Sequence, residues 1–81
     1  MKLPRDLSGE DLARLLRRCG YEITRQVGSH MRLTSKLKGT EHHITVPAHD
    51  PLRVGTLSKI LNDVAEYLKI ERTALARDLF D

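Results

Sequence analysis

Between two stretches of helical periodicity, residues 21–46 alternate apolar and polar side chains and are interrupted twice by glycine-bearing turns. Strands present successive side chains to opposite faces, and short turns join antiparallel neighbours, so this pattern predicts a three-stranded antiparallel meander. In the first strand, residues 21–26, Tyr21 and Ile23 share one face while Glu22, Thr24 and Gln26 share the other. Val27-Gly28-Ser29 forms the first turn, with Gly28 free to take a positive φ. Residues 30–35 turn Met31 and Leu33 inward and His30, Arg32 and Thr34 outward. After the basic turn Lys36-Leu37-Lys38-Gly39-Thr40, residues 41–46 place Ile44 and Val46 inward and His43 and Thr45 outward, and Pro47 ends the strand.

Ser8, followed by Gly9, Glu10 and Asp11, begins the helix before this meander, because its hydroxyl can accept a free amide and the acidic pair suits the positive helix end. Leu12, Leu15, Leu16 and Cys19 recur at helical spacing and Gly20 supplies a left-handed stop, which predicts a helix over residues 9–19. After the meander, Thr56 is read as the cap of a long helix whose stripe is Leu57, Ile60, Leu61, Val64 and Leu68. Leu75 and Leu79 mark a short helical pattern over residues 71–80.

The predicted class is α+β: a single domain over residues 1–81 in the order α-β-β-β-α plus a short C-terminal helix. Both main helices bury their stripes on the one apolar face of the sheet. The other face stays open, lined by Thr24, Gln26, His30, Arg32, His43 and Thr45. This is also the element order of the double-stranded-RNA-binding fold, though order alone does not establish an activity.

Charge narrows the partners. The chain carries 14 Lys+Arg against 11 Asp+Glu, a net charge of +3. Residues 61–81 hold three basic and five acidic side chains, so residues 1–60 carry the remaining eleven and six, or +5. Such a field suits a polyanion or an acidic protein, and a merely solvated surface accounts for it equally well. One cysteine, Cys19, excludes an internal disulfide, fits a reducing compartment, and reads as a buried apolar filler. The N-terminal residues lack the apolar run of a signal peptide, and no segment approaches the roughly 20 apolar residues of a membrane span. A soluble cytoplasmic protein without membrane contact is the expectation.

His30 stands where chemistry is easiest to place: at a sheet end, on the polar face, with Arg32 two residues along. A neutral imidazole, with a reference pKa of about 6.5, can take the proton of a ribose 2′-hydroxyl near neutral pH. Cations then stabilise the phosphorane oxygens, and Arg25, Arg32, Lys36 and Lys38 are the candidates. This scheme requires no metal or cofactor. An exposed histidine without a chemical role is the competing account.

Four segments in order settle which account the sequence favours. Gly20-Tyr21, Arg25-Gln26-Val27-Gly28-Ser29-His30, Thr45-Val46-Pro47-Ala48-His49 and Gly55-Thr56-Leu57-Ser58-Lys59-Ile60-Leu61 together resemble the HicA toxin family, also called YcfA-like, over about residues 7–61. The resemblance implies a double-stranded-RNA-binding-like fold, ribosome-independent cleavage of mRNA, and a cognate HicB-type antitoxin. It also implies a catalytic histidine after a Gly-Ser pair, here Gly28-Ser29-His30. Where many members carry a second histidine next, this chain has Met31, which the alternation turns to the core. Residues 69–81 lie beyond the resemblance, and a core-capping role through Leu75, Leu79 and Phe80 is favoured for them over docking on a partner. The antitoxin is expected to mask the open face around His30.

The remaining candidates are weaker. His42 and His43 are consecutive on a strand, face opposite ways, and make a poor chelating pair. His43 is read as an ordinary surface histidine, with general-acid duty beside His30 as the alternative. His49 is a loop contact or nothing. Arg53, Lys59 and the amides of residues 55–57 offer an anion site at the second long helix's start, or simply a capped helix with solvated neighbours. Arg14, Arg17 and Arg18 read as an exposed helix face. A non-catalytic RNA-binding module remains the runner-up function, and a pure protein-interaction domain the third.

Overall fold

The computed structural model describes residues 3–81 as one helix, an open three-stranded antiparallel sheet and two further helices. Helix α1 spans Gly9–Leu15, and its Ser8 cap accepts the Asp11 N–H at 3.0 Å as the sequence predicts. The helix does not run in α form to Cys19. Its last turn, Leu16–Cys19, tightens to 3-10 geometry, so that Gly20 N–H reaches the Arg17 carbonyl at 3.0 Å, and Gly20 then exits at φ 81°. Short i→i+3 bonds of this kind satisfy carbonyls that a helix end would otherwise leave free.

Strands β1 (Tyr21–Val27), β2 (His30–Ser35) and β3 (His42–Pro47) lie in sequence order. Their register puts Met31 opposite Val46 and Leu33 opposite Ile44, all four buried. Residues of α1, α2 (Val54–Leu68) and α3 (Arg72–Phe80) complete a single core with them. Leu57, Ile60, Leu61, Val64 and Leu68 are buried on α2, so the apolar stripe read from the sequence is the packed one. Leu75 and Leu79 of α3 are buried too, which gives the C-terminal segment a structural role. Arg18 Nη1 also donates to the Asp78 carbonyl at 3.2 Å. Cys19 is buried, and desolvation, reinforced by Asp78, raises its thiol pKa, as suits a filler rather than a nucleophile.

Three expectations need correction. Thr56 is not the cap of α2: the helix starts at Val54, with Arg53 at the N-cap and no side-chain cap bond. It ends without a glycine, at Lys69 with φ 58°. Alternation also fails in β1, where a bulge lies between Ile23 and Arg25. Ile23 still pairs with Leu33 on the helix side, but at the outer edge of the sheet it stays 44% exposed. Beyond the bulge the faces exchange, and Gln26, expected on the open face, lies opposite Met31 on the helix side.

At the far end of the sheet, the buried Tyr21 hydroxyl shares a 2.6 Å hydrogen bond with His42 Nδ1, and the His42 ring stacks on Tyr67 with centroids 4.7 Å apart. Desolvation pushes the Tyr21 phenol well above its ordinary pKa, which keeps it protonated. The opposite end is held by main chain. Gly9 N–H donates to the His49 carbonyl at 2.8 Å, Ala48 N–H to Ser29 at 2.6 Å, and Leu52 N–H to Leu7 at 2.8 Å. At Gly9 a Cβ would collide with the Pro47 carbonyl, so α1 reaches the sheet this closely only because the residue is glycine. Gly9→Ala should therefore destabilise the fold by about 1–3 kcal/mol, the usual range for forced overpacking. Urea unfolding checks this; an unchanged midpoint would mean α1 can back away from β3 freely.

Candidate functional site

The exposed face of the sheet is organised in rows across the three strands. The first row is Val27, His30 and Pro47. Gly28 opens the two-residue turn between Val27 and His30 at φ 58°, a conformation that favours glycine, and Ser29 completes it. That turn delivers His30 to the start of β2, exposed on the outer face, and Ser29 is fixed through its carbonyl by Ala48. The His30 ring enters no hydrogen bond or ion pair among the described residues. Its neighbour Met31 is 2% exposed and faces the core.

The next row holds Arg25, Arg32 and Thr45. Arg25 is there because of the bulge. With regular pairing, Thr24 would oppose Arg32 and Arg25 would point to the helix side. Instead Thr24 takes up the extra position, its hydroxyl 3.3 Å from the Arg32 carbonyl and 2.9 Å from Thr34 Oγ1. Thr34 Oγ1 in turn lies 2.8 Å from His43 Nδ1, and His43 Nε2 is 3.9 Å from Glu41. This polar chain pins the bulge from the far side. The result is two arginines directly opposite each other, and neither takes part in any of the ion pairs among the described residues. Like charges directly opposite on a sheet repel.

Other predicted residues fall elsewhere. Lys36, 3.6 Å from Glu41, and Lys38, whose N–H donates to Tyr67 Oη at 3.0 Å, flank the β2–β3 turn. Six residues of strand put Lys36 roughly 20 Å from His30. Neither lysine reaches a phosphate held at His30, so the expectation that they stabilise the same phosphorane is corrected. His43, four residues away by register with Thr34, is roughly 13 Å along the sheet, too far to share that phosphate. Arg53 and Lys59 are exposed on α2, which packs behind the sheet, so they do not join the open face. The amides left free at the start of α2 are those of residues 54–56, because Leu57 N–H is already bonded to the Arg53 carbonyl. His42 belongs to the Tyr21–Tyr67 cluster. No group of three or more His, Cys, Asp or Glu suited to a metal ion occurs among the described residues. Gln26 lines a groove of about 400 Å³ between α1 and β1 with Ala13, Arg14, Arg17, Ile23 and Met31, away from the open face.

The structure places His30 and Arg32 on the open face, as the sequence leads one to expect, and the bulge, which the sequence does not reveal, sets Arg25 opposite Arg32. His49 is exposed two residues past Pro47, and its carbonyl accepts the Gly9 N–H. No helix among the described residues is long and apolar enough to cross a membrane.

A helix-backed antiparallel sheet whose open face bears His30, Arg25 and Arg32 defines a small α+β domain with a polar, basic outer surface. Residues 9–65 match the family model described as the HicA toxin of bacterial toxin-antitoxin, and the chain belongs to that family. It is accordingly a toxin of a toxin–antitoxin system, and the membership implies an antitoxin partner. No curated protein and no solved structure matches it.

If the arginine pair serves a ligand and not the fold, removing one charge relieves repulsion. Arg25→Thr should leave stability unchanged or raise it by up to about 0.5 kcal/mol. A loss above about 1 kcal/mol in urea unfolding would show that the pair is structural.

Proposed function

We propose that this toxin is a metal-independent endoribonuclease that cuts mRNA with His30 as its base, and that a HicB-type antitoxin silences it by covering the open sheet face. The observation that carries this reading is the placement of an exposed, unpartnered His30 one row from the paired charges of Arg25 and Arg32. Membership in the toxin family supports it independently.

In the reaction, neutral His30 takes the proton of a ribose 2′-hydroxyl, and the oxygen attacks the adjacent phosphorus. The guanidiniums stand where negative charge builds on the non-bridging oxygens, and a paired fork geometry suits phosphate well. The hairpin turn positions the imidazole: Gly28 permits the backbone conformation, and Ser29 is held to residue 48. Lys36 and Lys38 contribute farther along, as contacts to RNA running up the sheet, while Arg53 and Lys59 attract RNA to the flank. This substrate places the toxin's work in the cytoplasm.

Induced expression should arrest growth, and His30→Ala should abolish arrest while the variant stays folded. Purified toxin should cut RNA in EDTA and leave a 2′,3′-cyclic phosphate or 3′-phosphate. Loss of cleavage in EDTA, restored by magnesium, would overturn the metal-free scheme. An RNA-binding module without catalysis would instead retain arrest in His30→Ala and cut nothing, since the arginines alone serve binding.

The antitoxin must protect an unburied site, so it has to cover it. An acidic partner is steered there by the +5 of residues 1–60. Hydrogen exchange on the complex should slow across residues 28–34. Protection confined to α1, α2 and α3 would place the interface behind the sheet.

A further inference from the structure

Cleavage by a 2′-hydroxyl needs two proton transfers, and His30 supplies only one. As the 2′-oxygen bonds to phosphorus, the bond from phosphorus to the 5′-oxygen breaks. An alkoxide is a poor leaving group unless something protonates it. Resting on the ribonuclease reading above, we propose that His49 is the second catalytic residue, the general acid that donates a proton to the departing 5′-oxygen.

The register selects His49 from the chain's four histidines. His42 is hydrogen-bonded to Tyr21 and stacked on Tyr67 at the other end of the sheet. His43 stands opposite Thr34, is hydrogen-bonded to it, and is too far along β2. His49 alone lies at the His30 end. Pro47 is directly opposite His30, and the bond from Ala48 N–H to the Ser29 carbonyl carries the β2–β3 pairing one residue past the sheet. His49 follows the last paired residue, and continuing the ladder one position further would make it a diagonal neighbour of His30, roughly 7–8 Å away between backbones, a separation at which two rings can share one phosphate. Its main chain is fixed, since its carbonyl accepts the Gly9 N–H at 2.8 Å. Its side chain is exposed and, like that of His30, has no partner among the described residues.

Competing donors at this end of the molecule are poor. Arg25, Arg32 and Arg53 do not release protons, and Asp50 is an acceptor once ionised. The Ser29 hydroxyl is far too weak an acid. Both tyrosines and both turn lysines sit at the opposite end. An imidazole populates its neutral and protonated forms near neutral pH, so one ring can begin the cycle as base and the other as acid. The balance closes. His30 gains the 2′ proton, His49 loses one to the 5′-oxygen, the bond from 2′-oxygen to phosphorus forms, and the products are a 2′,3′-cyclic phosphate and a 5′-hydroxyl. Exchange of protons with water resets both rings.

Leaving-group chemistry tests this. Oligoribonucleotides cut by the wild type are remade with sulfur replacing the 5′-oxygen at the mapped bond, because a thiolate departs without protonation. His49→Ala and His49→Gln should cut ordinary RNA about 10²–10⁴-fold more slowly, yet cut the sulfur-bridged substrate at close to the wild-type rate. His30→Ala should fail on both. Circular dichroism and urea midpoints confirm that each variant is folded. Unimpaired cleavage of ordinary RNA by both His49 variants, or equal loss on both substrates, overturns the assignment and leaves the ribonuclease reading standing. A folded wild-type protein that cuts no RNA in the initial cleavage mapping overturns the ribonuclease reading, and this inference with it.

Discussion

Three main-chain hydrogen bonds gather the chain at the His30 end of the sheet: Gly9 to His49, Ala48 to Ser29 and Leu52 to Leu7. They join the start of α1, the β1–β2 turn and the loop that leads to α2, pieces separated by some tens of residues. Each uses a backbone group that would otherwise need water, so the loop after β3 is as well fixed as a strand. The close approach that permits them depends on the absence of a side chain at Gly9. Slack here would leave His30 on a fraying strand end and His49 on a free loop. With these bonds closed, both sit on main chain held in place, as the proposed proton relay would require.

The inner half of the fold could be read almost entirely from periodicity. Met31, Leu33, Ile44 and Val46, the stripe of α2, and Leu75 with Leu79 are all buried where their spacing puts them. Burial enforces such patterns, because a one-residue slip would carry the whole apolar set into water. The outer half has no such enforcement, and there the reading failed at Thr24. A bulge leaves no mark in a run of polar residues, since either face accepts them. Helix starts show the same limit: Thr56 looked like a cap, but Arg53 stands at the boundary, three residues earlier.

The histidines make the same point at the site. Sequence places four of them on strands or in a loop with little to rank them beyond the resemblance at Gly28-Ser29-His30. Register ranks them by physical surroundings. His42 belongs to an aromatic cluster with a buried phenol, His43 closes a polar chain that pins the bulge, and His30 and His49 are unoccupied rings at one end. His43 is then no idle surface residue. Through Thr34 and Thr24 it helps hold the irregularity that turns Arg25 outward, and so serves the site at a distance.

The geometry also constrains how such a toxin can be controlled. Its one core lies on the helix side of the sheet, and that side is filled by α1, α2 and α3. Among the described residues, no element packs over the outer face. The two arginines there stand directly opposite each other, an arrangement that favours an anionic ligand over a bare face, and the His30 ring has no partner among the described residues. On the function proposed above, an antitoxin that satisfies those charges would stabilise itself on the very groups that the substrate needs. Competition for one surface is the simplest regulation open to a domain with a single core and a single free face.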